Sequence, residues 1–193
     1  NVFYCIGLTA DFRTRPFDTV EAHVSFLADV LQHAQFDSLL YLSSTRVYMG
    51  AASTCENTTL AVQPDDPSYL YNLSKLAGES LCHASGKSGV RVVRLSNVVG
   101  PEMDTSSGNF IATLLNEAYK GRIFLQSDLR SSKDYIYIED VVVGLLLISL
   151  KGDSHTYNLA SGKNTTHREW VDWIQKENNS NFIVDVDANA EQQ

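Results

Sequence analysis

The sequence predicts an α/β fold built on a largely parallel sheet, and three observations predict it. Short apolar runs rich in β-branched and aromatic residues alternate with longer runs in which apolar residues return at helical spacing. The short runs are apolar without interruption, as strands buried on both faces are. The chain has 193 residues, 44% of them hydrophobic, which fills one core and leaves little room for two complete domains.

The elements follow in order. "NVFYCIGL" (1–8) is the first strand. Val20, Val24, Leu27, Leu31 and Ala34 then recur at steps of three and four, so a helix covers 17–34, opened by Pro16, whose missing N–H is harmless in a first turn. "DSLLYLSS" (37–44) is a strand that ends in hydroxyls. Leu73, Leu76, Ala77 and Leu81 mark a helix over 69–84, and "GVRVVRLS" (89–96) is the next strand. Helices are expected at 109–119 and 138–150, a strand at "HTYNLA" (155–160), and a last helix at 167–176 opened by a Thr166/Glu169 capping box.

The bulk numbers exclude several functions. A formal charge of -8 with no lysine/arginine cluster excludes a nucleic acid or an anionic membrane as partner, since both demand a concentrated positive face. A small-molecule partner remains. Cys5, Cys55 and Cys82 are an odd set without paired spacing, which suits a reducing compartment. The chain shows no signal-peptide pattern, and the apolar run 141–150 is too short to cross a bilayer, so the expected location is cytoplasmic. No metal-ligand spacing occurs among the histidines and cysteines. "SGKSG" (85–89) resembles the end of a phosphate loop, but Leu81 stands where that motif requires glycine. No G-x-G-x-x-G occurs either.

Two short motifs carry chemistry. In "YNLSK" (71–75) a phenol and an ammonium stand four residues apart on one helix face. A neighbouring cation favours the phenolate, so Lys75 is expected to bring the Tyr71 pKa down toward a range useful for proton exchange. Ser44, at the end of the second strand, is the natural third member, able to bond the same substrate oxygen. Each motif also has a plain reading. Tyr-x-x-x-Lys arises by chance, and "SST" serves equally as a turn whose hydroxyls cap backbone amides.

Order and setting carry more than either motif. "SSTRVY", "YNLSK", "VRLSNVVGP", "KDYIYIEDVV" and "TYNLASG" follow one another along nearly the whole chain. In this the sequence resembles the extended short-chain dehydrogenase/reductases, specifically the NAD-dependent epimerase/dehydratases of nucleotide sugars. The resemblance implies a Rossmann-like, doubly wound parallel sheet, with core residues 1–100 and 134–160 and a small substrate-binding lobe from 101–133 and 161–193. It implies catalysis by Ser44, Tyr71 and Lys75, with Thr45 a rival for the serine. Tyr71 would exchange a proton with a sugar hydroxyl while hydride passes to or from nicotinamide.

The same resemblance places NAD or NADP against Gly7, Leu8, Thr9, Leu42, Tyr71, Lys75 and Val98, and the sugar nucleotide against Ser44, Thr45, Asn97, Asn109 and Lys133. Lys133 replaces the family's usual arginine and lacks its bidentate fork. Where the family has an asparagine in the helix after the first strand, this chain has His23, to which no role is assigned. The resemblance further implies a homodimer through the helices at 17–34 and 69–84. It places Asn1 at the family's fourth strand, so that ~60 to 70 residues holding the pyrophosphate site would precede it. On that expectation the first strand is an exposed edge and the polypeptide binds dinucleotide poorly. A non-catalytic relative that senses dinucleotide or binds a partner is the alternative, and the joint presence of Ser44, Tyr71 and Lys75 speaks for the enzyme.

Overall fold

The structure is a computed structural model that describes residues 1–8, 10–106, 108–178 and 182–187. In chain order the elements are β1 (Val2–Tyr4), α1 (Pro16–Val20), a π-helical turn (Glu21–Ser25), α2 (Phe26–His33), β2 (Leu39–Ser44), a 3-10 turn (Thr45–Tyr48), α3 (Leu70–Ala84), β3 (Val90–Leu95), β4 (Asn97–Val99), α4 (Phe110–Tyr119), β5 (Arg122–Leu125), β6 (Ser132–Tyr137), α5 (Ile138–Lys151), β7 (Thr156–Leu159), β8 (Asn164–Thr166), α6 (His167–Asn178) and β9 (Ile183–Val186). The chain divides into two compact units, Asn1–Val98 with Ile138–Leu159, and Val99–Tyr137 with Ala160–Gln193. Among the described residues no helix is long and apolar enough to cross a membrane.

In the first unit a four-stranded sheet runs in the order β1-β2-β3-β7 with every pair parallel. Leu39, Tyr41, Val90 and Val92 turn one face toward Leu27 and Leu31 of α2 and Cys82 of α3, which together form a buried cluster with Tyr4. Strand alternation points Leu40 and Val93 the other way, and they are equally buried. Helix α5 packs against β2, and its Gly144 lies so close to Leu159 that a side chain there would meet the leucine methyls.

Strand β1 is shorter than its apolar run. It pairs with β2 only from Val2↔Leu39 to Tyr4↔Tyr41, and beyond it the Leu8 N–H is taken by the ring of His23 at 3.3 Å. The helix expected as one rod over 17–34 is continuous but widens at Glu21–Ser25. A π turn interrupts the regular ladder and leaves carbonyls open to other donors. Two buried tyrosines use them: the Tyr4 hydroxyl donates to the Ala22 carbonyl at 2.6 Å and the Tyr41 hydroxyl to the His23 carbonyl at 3.3 Å.

Gly78 lets α3 approach this turn. A Cβ there would lie 2.7 Å from the His23 carbonyl oxygen and would overlap the Tyr41 hydroxyl. Alanine is the better helix former by about 1 kcal/mol, yet overpacking against backbone costs about 1–3 kcal/mol. Gly78→Ala is therefore expected to lower the urea midpoint, and a raised midpoint would place α3 farther from the turn than described.

In the second unit β5 pairs parallel with β9, and β6 pairs antiparallel with β8. Leu114 and Ala118 of α4, Ile123 and Leu125 of β5, Val171 and Ile174 of α6, and Phe182 form its core. The capping box is present: the Glu169 N–H donates to Thr166 Oγ1 at 3.1 Å, and the Thr166 N–H donates to Glu169 Oε2 at 2.7 Å. Asn109 caps α4, its Oδ1 accepting the Ala112 N–H at 2.9 Å.

Candidate functional site

The hydroxyl-rich end of β2 meets α3, and its members take separate partners. Ser43 donates to Glu79 Oε1 at 2.5 Å. Ser44 accepts the Arg46 N–H at 3.2 Å, so it caps the turn Thr45–Tyr48 as the plain reading of the motif allowed. The same hydroxyl acts on the Tyr71 phenol and pulls its pKa down. Thr45 opens the turn.

Tyr71 and Lys75 stand one turn apart on α3, at 8% and 5% exposure, so neither group has a full water shell. The Lys75 ammonium donates to the Leu42 carbonyl at 2.8 Å and lies 6.0 Å from the centre of the Tyr71 ring. Burial loosens its proton, bringing the pKa from 10.5 to about 8, against the opposing pull of Glu79 and Cys5. Arg46 approaches the same tyrosine, with its guanidinium 5.9 Å from the ring centre and 5.4 Å from the Phe12 ring.

The expectation that a neighbouring lysine would bring the Tyr71 pKa down needs correcting. Burial raises it, because removing a phenolate from water outweighs the opposing influences, which are the Ser44 hydrogen bond and the Arg46 charge. Arg46 was not singled out from the sequence. It sits two residues past Ser44, where a turn after the strand sends it back over α3, donating to Asn72 Oδ1 at 3.2 Å and to the Ser68 carbonyl at 3.4 Å.

Gly7 and Leu8 lie beside these groups. A Cβ on Gly7 would come 3.0 Å from His23 Nε2 and 3.3 Å from Lys75 Nζ, so the backbone runs directly against both side chains. Thr9 lies outside the described residues. Asn97 and Val98 fall in β4, immediately past β3, the asparagine exposed and the valine half-buried. Asn109 and Lys133 belong to the second unit, the first as the cap of α4 and the second on β6 opposite Thr165.

Two further features went unassigned in the sequence. One is a buried polar network. Arg94 of β3 meets Glu79 of α3 through two hydrogen bonds, Nε to Oε1 at 3.1 Å and Nη2 to Oε2 at 2.7 Å. Its third nitrogen donates to the Tyr48 hydroxyl at 2.7 Å, which donates in turn to Asn158 Oδ1 at 2.8 Å. The signal was present: an arginine inside a strand buried on both faces must be paired, and Glu79 follows Lys75 by one turn.

The other is His23, which is fully buried at 0% exposure and bridges Leu8 to Ser74. Burial, reinforced by Lys75, pushes its pKa from 6.5 down to about 3. The unfolded chain therefore binds a proton across that interval that the folded chain does not. The stability this neutral ring contributes is fully present above pH 6.5 and is lost as pH falls toward about 3. Urea midpoints near pH 7 and pH 5 should differ less in His23→Gln than in the parent. The remaining slope includes His167, which burial moves in the same direction.

A family model described as the NAD dependent epimerase/dehydratase family matches residues 2–160. No curated protein matches the chain. An NAD-dependent NDP-hexosamine 5,6-dehydratase involved in tunicamycin biosynthesis superposes with a TM-score of 0.80 at 20% identity, over 100% of this chain and 63% of the other. A UDP-N-acetylglucosamine 4-epimerase from Methanobrevibacter ruminantium M1 gives 0.82 at 19% identity, over 100% of this chain and 64% of the other. The protein called RMD from Pseudomonas aeruginosa gives 0.76 at 24% identity, over 96% of this chain and 69% of the other. This chain thus spans 63% of the length of the first of these, and at such identities the likeness establishes the Rossmann-like fold. With that fold in place and the family pattern running through the sheet and the helices that carry the site, the chain belongs to the NAD dependent epimerase/dehydratase family.

Proposed function

We propose that the protein is an NAD(P)-dependent epimerase, dehydratase or reductase of a nucleotide-linked sugar, with Tyr71, Lys75 and Ser44 as its proton-transfer group. The observation that chiefly supports this reading is a buried Tyr71 with the Lys75 ammonium 6.0 Å from its ring centre and Ser44 acting on its hydroxyl, at the carbonyl end of β2. Solved relatives of this fold are described in complex with NAD and UDP-glucuronic acid, with UDP-N-acetylmuramic acid, and with NADPH, which supports a dinucleotide and a sugar nucleotide as ligands.

The residues fit a dinucleotide on two counts. An ammonium carries three donors, and the Leu42 carbonyl takes one, so Lys75 has capacity for ribose hydroxyls. Gly7 presents bare backbone beside it, where any larger residue would push against Lys75 and His23. Gly7, Leu8, Thr9, Leu42 and Val98 would line the dinucleotide side. When bound, nicotinamide supplies the hydride acceptor or donor.

Tyr71 holds or releases the proton at its hydroxyl oxygen. Burial keeps that proton on the oxygen in the unliganded protein, and the Ser44 hydrogen bond and Arg46 charge oppose it. Ser44, or Thr45 in its place, holds the reacting sugar hydroxyl against the phenol. Asn97, Asn109 and Lys133 would bind the rest of the sugar nucleotide. We place the enzyme in the cytoplasm, consistent with the free thiols at Cys5, Cys55 and Cys82. Phe17, Val20 and Phe26 are exposed on the helix at 17–34 and support a homodimer through it and the helix at 69–84, which light scattering measures directly.

The test is incubation with NAD or NADP and a panel of UDP-, GDP- and dTDP-linked sugars. Reduced nicotinamide is followed by absorbance and products by chromatography. Where a dinucleotide binds, conversion of at least one sugar nucleotide is expected. Dinucleotide binding without conversion of any member of the panel would favour the non-catalytic alternative.

A further inference from the structure

Resting on the function proposed above, we propose that His23 is a positioning residue: its ring clamps the backbone at Gly7–Leu8 to the helix that carries Tyr71 and Lys75. The loop meant to face the cofactor and the pair meant to move the proton are thereby held by one side chain from a third element.

Hydrogen-bond direction fixes the state of the ring. A backbone N–H only donates, so His23 Nε2, 3.3 Å from the Leu8 nitrogen, is an acceptor and carries no hydrogen. In the neutral ring the hydrogen then sits on Nδ1, which donates to Ser74 Oγ at 2.8 Å. Ser74 passes its own hydrogen to the Tyr71 carbonyl at 3.0 Å. Donors and acceptors alternate without conflict from Leu8 through His23 and Ser74 to the backbone of Tyr71.

Packing makes the clamp rigid. The imidazole meets the Tyr71 ring edge to face, with centres 5.3 Å apart and planes at 88°. Gly7 leaves no room for a Cβ between its backbone and His23 Nε2, and the Lys75 ammonium faces the same glycine. The π turn holds the ring from behind, since the His23 carbonyl is bonded to the Tyr41 hydroxyl rather than within its helix alone. A proton on Nε2 would set two donors, His23 and Leu8, head to head with Lys75 alongside, and would open the clamp.

Nitrogen-15 NMR of the histidine rings, with and without NAD, tests the state of the clamp independently of turnover. His23 is expected in the Nδ1–H form at neutral pH, and a proton found on Nε2 would overturn the inference. In kinetics, His23→Leu is expected to raise KM for NAD about tenfold, the size of one lost hydrogen bond, with a smaller change in kcat. His23→Gln, which can still accept from Leu8, is expected to recover most of that loss. Ser74→Ala is the second variant should the leucine form not fold, and it should shift the ring's tautomer balance. An unchanged KM in a folded His23→Leu protein would overturn the positioning role. A parent protein that binds NAD and converts no sugar nucleotide would overturn the proposed function, while the ring spectra would still decide the clamp.

Discussion

Tyr71→Phe is expected to reduce turnover of the sugar nucleotide by about two to four orders of magnitude, the range general acid–base groups supply. Fold and dinucleotide binding should change little. Phenylalanine keeps the ring that packs at 5.5 Å on Phe12 and against the edge of His23, and it loses only the hydroxyl. The comparison to make is single-turnover rate against dinucleotide affinity and urea midpoint on the same preparation. Retained turnover with intact binding would show that Tyr71 does not move the proton. A fall in all three quantities together would show that the hydroxyl is structural. The raised phenol pKa gives a second handle, because Arg46→Met removes a charge that opposes the rise and should raise it further. The pH at which the rate increases would then move upward.

The largest loss of stability is expected from Glu79→Ala. Its carboxylate is buried, accepts from Ser43 and binds Arg94 through two hydrogen bonds. Removing one partner of such a pair leaves an uncompensated charge in the core, which costs about 3–5 kcal/mol. The effect should not be confined to the pair. Arg94 also holds Tyr48 and the Glu56 carbonyl, and Asn158 ties the segment before Glu56 through the Thr54 carbonyl at 2.7 Å. Freed from Glu79, the guanidinium would loosen the chain that leaves β2. Replacing both residues, Glu79→Leu with Arg94→Met, should recover much of the loss, since apolar side chains of similar volume often match a buried pair. Urea unfolding of the two single variants and the double variant measures the coupling. A single-variant loss under about 1 kcal/mol would mean the pair is open to solvent.

The parts of the site that were legible in the sequence share one property: their meaning lies in order along the chain. Leu42, Ser44, Tyr71 and Lys75 sit on elements with clean periodicity, so the strand end and the helix face followed directly. His23 did not. Its neighbours show the ordinary apolar spacing of an α-helix, and nothing local marks the wider turn, which is held open by tyrosines on β1 and β2. A helical histidine that reads as a packing residue was therefore passed over. Arg46 was hidden for a similar reason, since its approach to Tyr71 depends on a 3-10 turn that no spacing rule announces.

Among the elements, the long helices and the strands of the four-stranded sheet were legible, while β4, β5, β6, β8 and β9 were not. β4, β5, β8 and β9 have only three or four residues, and β6, though six residues long, has a single buried position, Ile136. In β5 the buried Ile123 and Leu125 alternate with exposed Arg122 and Phe124, a pattern of four residues too brief to separate from a loop.

The wide turn at Glu21–Ser25 makes helix length and helix phase separable here. Excising a single residue from it would let the segment close into regular α-helix, with Leu27 and Leu31 still turned to the sheet. Such a deletion would look harmless by packing alone. It would nonetheless strand the Tyr4 and Tyr41 hydroxyls in the core without acceptors, so the extra residue is kept for the polar groups it exposes and not for the surface it covers.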